Sequence, residues 1–125
     1  MTFQYAPAPE STAIVNINSS NDLFINGEFT PGHGNPFKTI NPATEEVLAE
    51  IAHANEEDVN AAVMAARKAY DKTWSKMSGR DRGKYLFRIA RLIQERSREL
   101  AVLETLDNGK PIRESRDVDV PIAAA

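Results

Sequence analysis

The sequence has 125 residues, enough for one domain, since a chain of this size buries roughly two-thirds of the surface that its unfolded form exposes. Its 42% hydrophobic and 26% charged residues are typical of a globular protein, and a net charge of -3 provides no overall field that attracts nucleic acid or anionic lipid. The absence of cysteine excludes disulfides, thiolate metal sites and cysteine-nucleophile catalysis by this chain alone.

The first residues lack the features of a targeting segment. The first basic residue is Lys38, so the positive region of a secretory signal and the arginine content of a transit peptide are both missing. No apolar run approaches the roughly 20 residues that a membrane-spanning helix needs. We therefore expect a cytoplasmic protein with no membrane partner.

Residues 1–21 are polar and contain prolines, and we interpret them as an extended arm. Beyond them, two short aromatic-containing segments flank Asn26-Gly27, which is a strong signal for a β-hairpin with a type I′ turn. Residues 37–40 and 47–52 alternate as two further strands should, with a turn between them. The sequence thus predicts a small strand unit after the arm.

The apolar spacing becomes helical beyond Asn55. Asn55 is a capping residue, and the acidic residues 56–58 suit the first turn of a helix, whose backbone N–H groups attract negative charge. Apolar residues then recur at spacings of three and four up to Tyr70. This pattern predicts an amphipathic helix that ends near residues 71–76.

Two more helices are predicted after Ser78. Ser78 and Asp81 are a weaker variant of the residue pair that caps a helix, and the following residues have one apolar and one basic face. The apolar face drifts after Arg96, so we expect a kink or restart near Ser97 and a third helical stretch over residues 100–106.

The last residues contain a stop signal and a new start. Asn108, Gly109 and Pro111 are typical of a helix end, and a further helix is expected near Ile112. The sequence closes at Ala125 in an apolar, alanine-rich run with neither a cap nor a polar tail. We interpret this ending as cut rather than finished.

Seven basic residues lie between Arg80 and Arg98, and a basic helix face, here Lys84, Arg88, Arg91 and Arg98, can track phosphates. The same face carries Glu95, no aromatic residue interleaves it, and the chain is acidic overall, so a solvated or subunit-contacting face is favoured over nucleic acid. Arg82 and Arg96 project towards the apolar side instead, where a charge needs a partner. We predict a buried ion pair for each of them, rather than an anion-binding site.

No catalytic or cofactor-binding constellation is visible in the sequence. His33 and His53 have no third ligand nearby with the spacing of a metal site. The adjacent carboxylates at 45–46 and 56–58 are explained by a turn and a helix start. The six glycines match neither a dinucleotide fingerprint nor a phosphate-binding loop.

Five segments of the sequence, taken together in their order along the chain, are a more specific signature than any one of them alone. The set comprises residues 23–29 (LFINGEF), residues 39–46 (TINPATEE), the helix over 59–70, Arg82-Gly83 before an apolar helix, and residues 104–111 (ETLDNGKP). Together they resemble the amino-terminal part of NAD(P)-dependent aldehyde dehydrogenases over about residues 23–125. Glu45 departs from the resemblance, because family members commonly have glycine in this turn.

The resemblance implies an α/β fold, in which this chain is the amino-terminal part of a cofactor-binding domain. Residues 1–21 would be the arm, and residues 22–125 an incomplete domain with a small antiparallel strand unit followed by amphipathic helices. The family oxidises an aldehyde to a carboxylic acid with NAD or NADP through a cysteine thiohemiacetal. The family's cysteine and cofactor turn lie beyond residue 125, so we expect a structural framework with no catalytic or cofactor-binding residue, no bound cofactor and no activity alone.

The resemblance also implies partners and an ion. The partners are the remainder of the polypeptide and further copies in a homo-oligomer, a dimer or a tetramer. A sodium or potassium ion in the family occupies a site whose matching positions here are Thr39, Ile40 and Asp107, although residues 107–109 also suit an ordinary helix-ending turn. The alternative function is a non-catalytic helical interaction or assembly module.

Overall fold

The computed structural model describes residues 11–125, in which five short strands precede the first long helix. The strands are β1 (Ser20–Asn21), β2 (Leu23–Ile25), β3 (Glu28–Thr30), β4 (Phe37–Ile40) and β5 (Val47–Ile51). They form two sheets, one with the order β1-β5-β4 and the other with β2 beside β3. Of the predicted arm, residues 1–10 lie outside the described residues, and Thr12–Ile14 form one turn of 3-10 helix.

The β2–β3 hairpin confirms the prediction from Asn26-Gly27. Both turn residues have positive φ, 56° for Asn26 and 88° for Gly27, as a type I′ turn requires. Phe24 pairs with Phe29 across the hairpin, and their ring centroids are 5.0 Å apart. This cross-strand aromatic pair helps to fix the register.

The larger sheet contains a parallel pair that the sequence analysis did not include. β1 runs parallel to β5, with Glu50 donating its N–H to the Ser19 carbonyl and Ala52 donating to the Asn21 carbonyl, both at 2.9 Å. β4 lies antiparallel on the other side of β5. The end of the predicted arm is therefore an edge strand. Its two polar residues, Ser20 and Asn21, are too few to show the alternation that would have predicted it.

The first two long helices begin where the capping residues predict. At the start of α1 (Glu56–Lys72), the Asp58 N–H donates to the Asn55 side chain and the Asn55 N–H donates to the Asp58 carboxylate, which together form a capping box. In α2 (Gly79–Glu95), the Ser78 hydroxyl accepts from the Asp81 N–H and donates to its carboxylate. A 3-10 turn, Trp74–Lys76, separates the two helices.

The remaining helices confirm the predicted restart and stop. α3 (Ser97–Asn108) follows directly after Arg96, and it ends at Gly109, whose φ of 77° is left-handed. The next helical segment starts at Ile112 as predicted. It comprises α4 (Ile112–Glu114), a π-helical turn (Ser115–Asp119) and α5 (Val120–Ala124).

The core of the described residues is thin. Its buried apolar members are small or medium-sized and lie in β5, α3 and α5: Ala49, Ala101, Val102, Val120 and Ala124. Large apolar side chains on α1 and α2 remain exposed, among them Val63 and Met64 on α1 and Leu86 and Phe87 on α2. Within residues 11–125, the apolar faces of both helices are therefore largely uncovered.

Candidate functional site

The carboxyl end of β4 meets the carboxyl end of α3. The Thr39 hydroxyl on β4 donates a hydrogen bond to Oδ1 of Asp107 on α3, although the two residues are 68 positions apart. Thr39 is half-buried, whereas Asp107 is exposed. The structure thus brings together two of the three residues for which the resemblance implies a bound cation.

The third residue, Ile40, follows Thr39 at an irregularity of the sheet. Thr39 pairs with Ala49 but Ile40 pairs with Val47, so β5 has one extra residue, Leu48, at this point. Such a bulge bends the strand and interrupts the regular ladder. The backbone of Thr39 and Ile40 therefore lies at a local break in β-sheet geometry beside Asp107.

The turn after β4 fixes this corner. Asn41 is buried, donates its N–H to the Glu46 carbonyl and accepts a hydrogen bond on its side chain from the Ala43 N–H. Glu45 has a φ of 61°, in the left-handed region that favours glycine. A Cβ atom at Gly109 would lie 2.7 Å from Cγ of Pro42, so the end of α3 packs tightly on the turn.

Thr39 and Asp107 lie on the wall of a cavity of about 860 Å³. The cavity lies between the segment that leads into β1, the larger sheet, α3 and α5. Its wall is mainly apolar, and its charged residues are Arg96, Glu99, Glu104, Asp107 and Asp119.

Most of these charges are paired with each other or with a neighbour. Arg96 donates two hydrogen bonds to Glu99, at 2.9 and 2.7 Å, and each group shifts the pKa of the other towards its charged form. Lys110 binds Glu104 at 3.3 Å and also Asp119, whose hydrogen bond raises the pKa of the Lys110 ammonium. In residues 11–125, the Asp107 carboxylate contacts the Thr39 hydroxyl but no cationic side chain.

The two arginines with predicted ion pairs behave differently. Arg96 has the predicted ion pair, with Glu99, but the predicted burial is wrong, because its side chain is exposed. The ion pair predicted for Arg82 is wrong: its guanidinium donates to the backbone carbonyl oxygens of Met77, at 2.8 Å, and Trp74. Among the described residues, these carbonyl oxygens at the 3-10 turn accept the hydrogen bonds of Arg82 in place of a carboxylate. Sequence patterns do not reveal such backbone acceptors.

His33 contacts a carboxylate that the sequence analysis explained only as part of a helix start. Its backbone N–H donates to Oδ2 of Asp58 at 2.9 Å, and its ring Nδ1 lies 2.5 Å from Oδ1. The residues are 25 positions apart, and no sequence signal connects them. Across the part of the chain that the structure describes, no group of three or more His, Cys, Asp or Glu side chains is arranged to hold a metal ion.

Each helix from residue 11 onwards is too short or too polar to cross a bilayer.

Comparisons with known proteins identify relatives of the whole segment. A family model described as the aldehyde dehydrogenase family matches residues 29–125. Aldehyde dehydrogenase 1 of Tanacetum cinerariifolium is 52% identical over 99 residues, which cover 78% of this chain and 20% of that protein. Aldehyde dehydrogenase (NAD(P)+) 2 of Saccharomyces cerevisiae is 48% identical over 99 residues, with the same coverage of each chain.

Solved structures give the same result. The NAD+ complex of an aldehyde dehydrogenase from Bacillus cereus superposes with a TM-score of 0.82 at 42% identity, covering 95% of this chain and 24% of that one. The chain spans about a fifth of the length of the curated relatives that it matches.

Proposed function

Since the chain belongs to the aldehyde dehydrogenase family, we propose that it is the amino-terminal part of an enzyme that oxidises an aldehyde to a carboxylic acid with NAD or NADP. The match of the family model over residues 29–125 carries this proposal. The yeast relative is NAD(P)+-dependent by name, and the Bacillus cereus neighbour was solved with NAD+, which supports a nicotinamide cofactor.

Family membership confirms the resemblance drawn from the sequence, and the structural neighbours confirm the α/β fold of an amino-terminal cofactor-domain segment. The alternative of a non-catalytic assembly module is not favoured by these relatives.

Within the proposed enzyme, this segment is a structural framework. The exposed apolar residues of α1 and α2, such as Met64, Leu86 and Phe87, would become buried against the remainder of the polypeptide. Each large apolar side chain that is fully buried in this way contributes about 1.5–3 kcal/mol. The proposal includes a homo-oligomeric enzyme, a dimer or a tetramer, in the cytoplasm.

The chemistry has to come from outside these residues. In the proposed reaction a cysteine thiolate attacks the aldehyde carbon, the thiohemiacetal loses a hydride to the nicotinamide, and water hydrolyses the resulting thioester. This chain contains no cysteine, so the thiolate belongs to the remaining polypeptide. The role left for residues 11–125 is to shape and support the domain that binds the cofactor.

We expect the intact protein that contains this chain to reduce NAD or NADP in an aldehyde-dependent manner. The reduced nicotinamide absorbs at longer wavelength than the oxidised form, so the rate can be followed optically with a panel of aliphatic and aromatic aldehydes. Reactions without aldehyde are the control. Failure of every aldehyde to support turnover by folded, cofactor-binding protein would contradict the proposed reaction.

A monovalent cation at Asp107 is a second part of the proposal. The ligands would be the backbone carbonyl oxygens of Thr39 and Ile40 and the Asp107 carboxylate, because sodium and potassium prefer oxygen. Two observations support it: the backbone bulge at Thr39 and Ile40, and the absence of a cationic side chain at Asp107 within the described residues. The helix-ending turn does not need Asp107, since Asn108 accepts the hydrogen bond from the Lys110 N–H.

Replacing sodium and potassium by a bulky organic cation at equal ionic strength should lower the unfolding midpoint of the intact protein. A bound ion stabilises the folded state by about 1.4 kcal/mol when its concentration is ten times its dissociation constant. Asp107→Asn should remove the dependence on cation type, whereas Asp119→Asn, on the same cavity wall, should retain it. Identical midpoints of the wild-type protein in all three cations would contradict the cation site.

A further inference from the structure

We propose that His33 and Asp58 form a pH-dependent latch that holds the loop of residues 31–36 against the start of α1. The loop connects β3 to β4, and Asp58 lies in the first turn of α1. This device is independent of the proposed enzymatic reaction, because it depends only on contacts among the described residues.

The Asp58 carboxylate is the fixed part of the latch. Its side chain is only 7% exposed, although it carries a charge. Oδ2 accepts hydrogen bonds from the backbone N–H groups of His33 and Asn55, both at 2.9 Å, and Oδ1 lies 2.5 Å from Nδ1 of the His33 ring. A buried carboxylate needs such partners, and His33 supplies two of them.

The loop lies backbone to backbone against the connection between β5 and α1. Gly34 donates its N–H to the His53 carbonyl at 2.8 Å. A Cβ atom at Gly32 would overlap the same carbonyl oxygen, and one at Gly34 would lie 2.8 Å from it. This close approach leaves no room for side chains at either glycine, so the neighbouring His33 provides the side-chain contact that fastens the loop.

The charges around the ring favour its protonated form. The hydrogen bond to Asp58 raises the pKa of His33, and the charges of Asp58 and Glu57 add to this effect. Backbone hydrogen bonds from His33 and Asn55 lower the pKa of Asp58 to about 2. Among residues 11–125, Glu56 in the same turn of α1 and His53 beside Gly34 are further titratable groups near the loop.

The latch is therefore strongest in mildly acidic solution. The contribution of Asp58 is present above the ordinary value near 3.8 and is lost as the pH falls towards 2. The contribution of His33 is complete below its ordinary value near 6.5 and is lost as the pH rises through the higher value of the folded state. At alkaline pH a neutral ring can still donate a hydrogen bond through Nδ1, but the ion pair is gone, so the loop opens more often.

Hydrogen exchange of the intact protein measures this opening. The amides of residues 32–35, which carry an N–H, would be compared between wild type and His33→Asn at matched pH values from 5.5 to 8.5, with each rate divided by that of an unstructured peptide of the same sequence at the same pH. The Asn side-chain N–H occupies a position similar to that of Nδ1 but does not titrate. We expect wild-type loop opening, relative to that of His33→Asn, to increase roughly twofold to fivefold over this range, the effect expected of an ion pair whose histidine ring is exposed to solvent.

His53→Asn is the matched control, because His33 and His53 are the only histidines in the chain. This variant should keep the wild-type dependence on pH. The proposal is overturned if the ratio of wild-type to His33→Asn exchange does not change with pH, or if His53→Asn abolishes the dependence.

Discussion

A preparation of the isolated 125-residue chain is expected to show no aldehyde-dependent reduction of NAD or NADP. Covalent aldehyde oxidation requires a thiolate nucleophile, and the chain has no cysteine. Loss of the nucleophile removes the covalent route altogether, so the expected effect on rate is complete rather than partial.

Tight cofactor binding by the isolated chain is not expected either. A dinucleotide pyrophosphate usually binds backbone N–H groups where a strand leads into a helix. The corresponding junction here is the start of α1 after β5, but its first turn carries Glu56, Glu57 and Asp58. Asp58 already caps the Asn55 N–H, and three carboxylates repel a diphosphate.

Two measurements test this expectation: spectrophotometric assay with a panel of aldehydes, and calorimetric titration with NAD and NADP. The intact protein is the positive control for both. Turnover that follows the 125-residue species through successive purification steps, or micromolar affinity for either cofactor, would show that the chain is more than a framework.

Gly109→Ala should destabilise the intact protein by about 2–5 kcal/mol. Gly109 has a φ of 77°, and the left-handed region costs a residue with a Cβ atom about 1–2 kcal/mol. The added carbon would also lie 2.7 Å from Pro42, and overpacking of this kind costs about 1–3 kcal/mol. Relief of the overlap would move the end of α3, and with it Asp107, away from Thr39.

Two other glycines separate these contributions. Gly27 has a φ of 88° but nothing within 4 Å of its Cβ position, so Gly27→Ala should show the backbone cost alone. Gly83 lies inside α2 in open space, and Gly83→Ala should stabilise the protein by about 0.5–1 kcal/mol through helix propensity. Denaturant unfolding ranks the three variants, and an equal cost for Gly109→Ala and Gly27→Ala would refute the contact with Pro42.

Features that depend on neighbouring residues could be predicted from the sequence. The Asn26-Gly27 turn, the Asn55 cap, the restart at Ser97 and the stop at Gly109 are all confirmed. Each is set by backbone preference or by a hydrogen bond within a few positions, so the local sequence contains the relevant physics.

Features that depend on tertiary geometry could not be predicted in the same way. The two residues of β1 are too few to show the alternation that predicts a strand, so the β1–β5 pair could not be predicted. The His33–Asp58 contact joins segments 25 residues apart. For Arg82, the need for hydrogen-bond acceptors could be predicted, but not their kind: backbone carbonyls rather than a carboxylate supply them. Thr39 and Asp107 were associated only through the family resemblance, because a separation of 68 residues leaves no local signal.

The exposed apolar faces of α1 and α2 have a consequence for synthesis on the ribosome. In a polypeptide of the relatives' length, about four-fifths of the chain is still to be synthesised when these helices have been made. At about 5–20 residues per second, their future partners are absent for tens of seconds. During that interval, the charged opposite face of α2, with its Lys84–Asp81 and Arg91–Glu95 pairs, keeps the nascent segment hydrated, while its apolar face is available to holding chaperones.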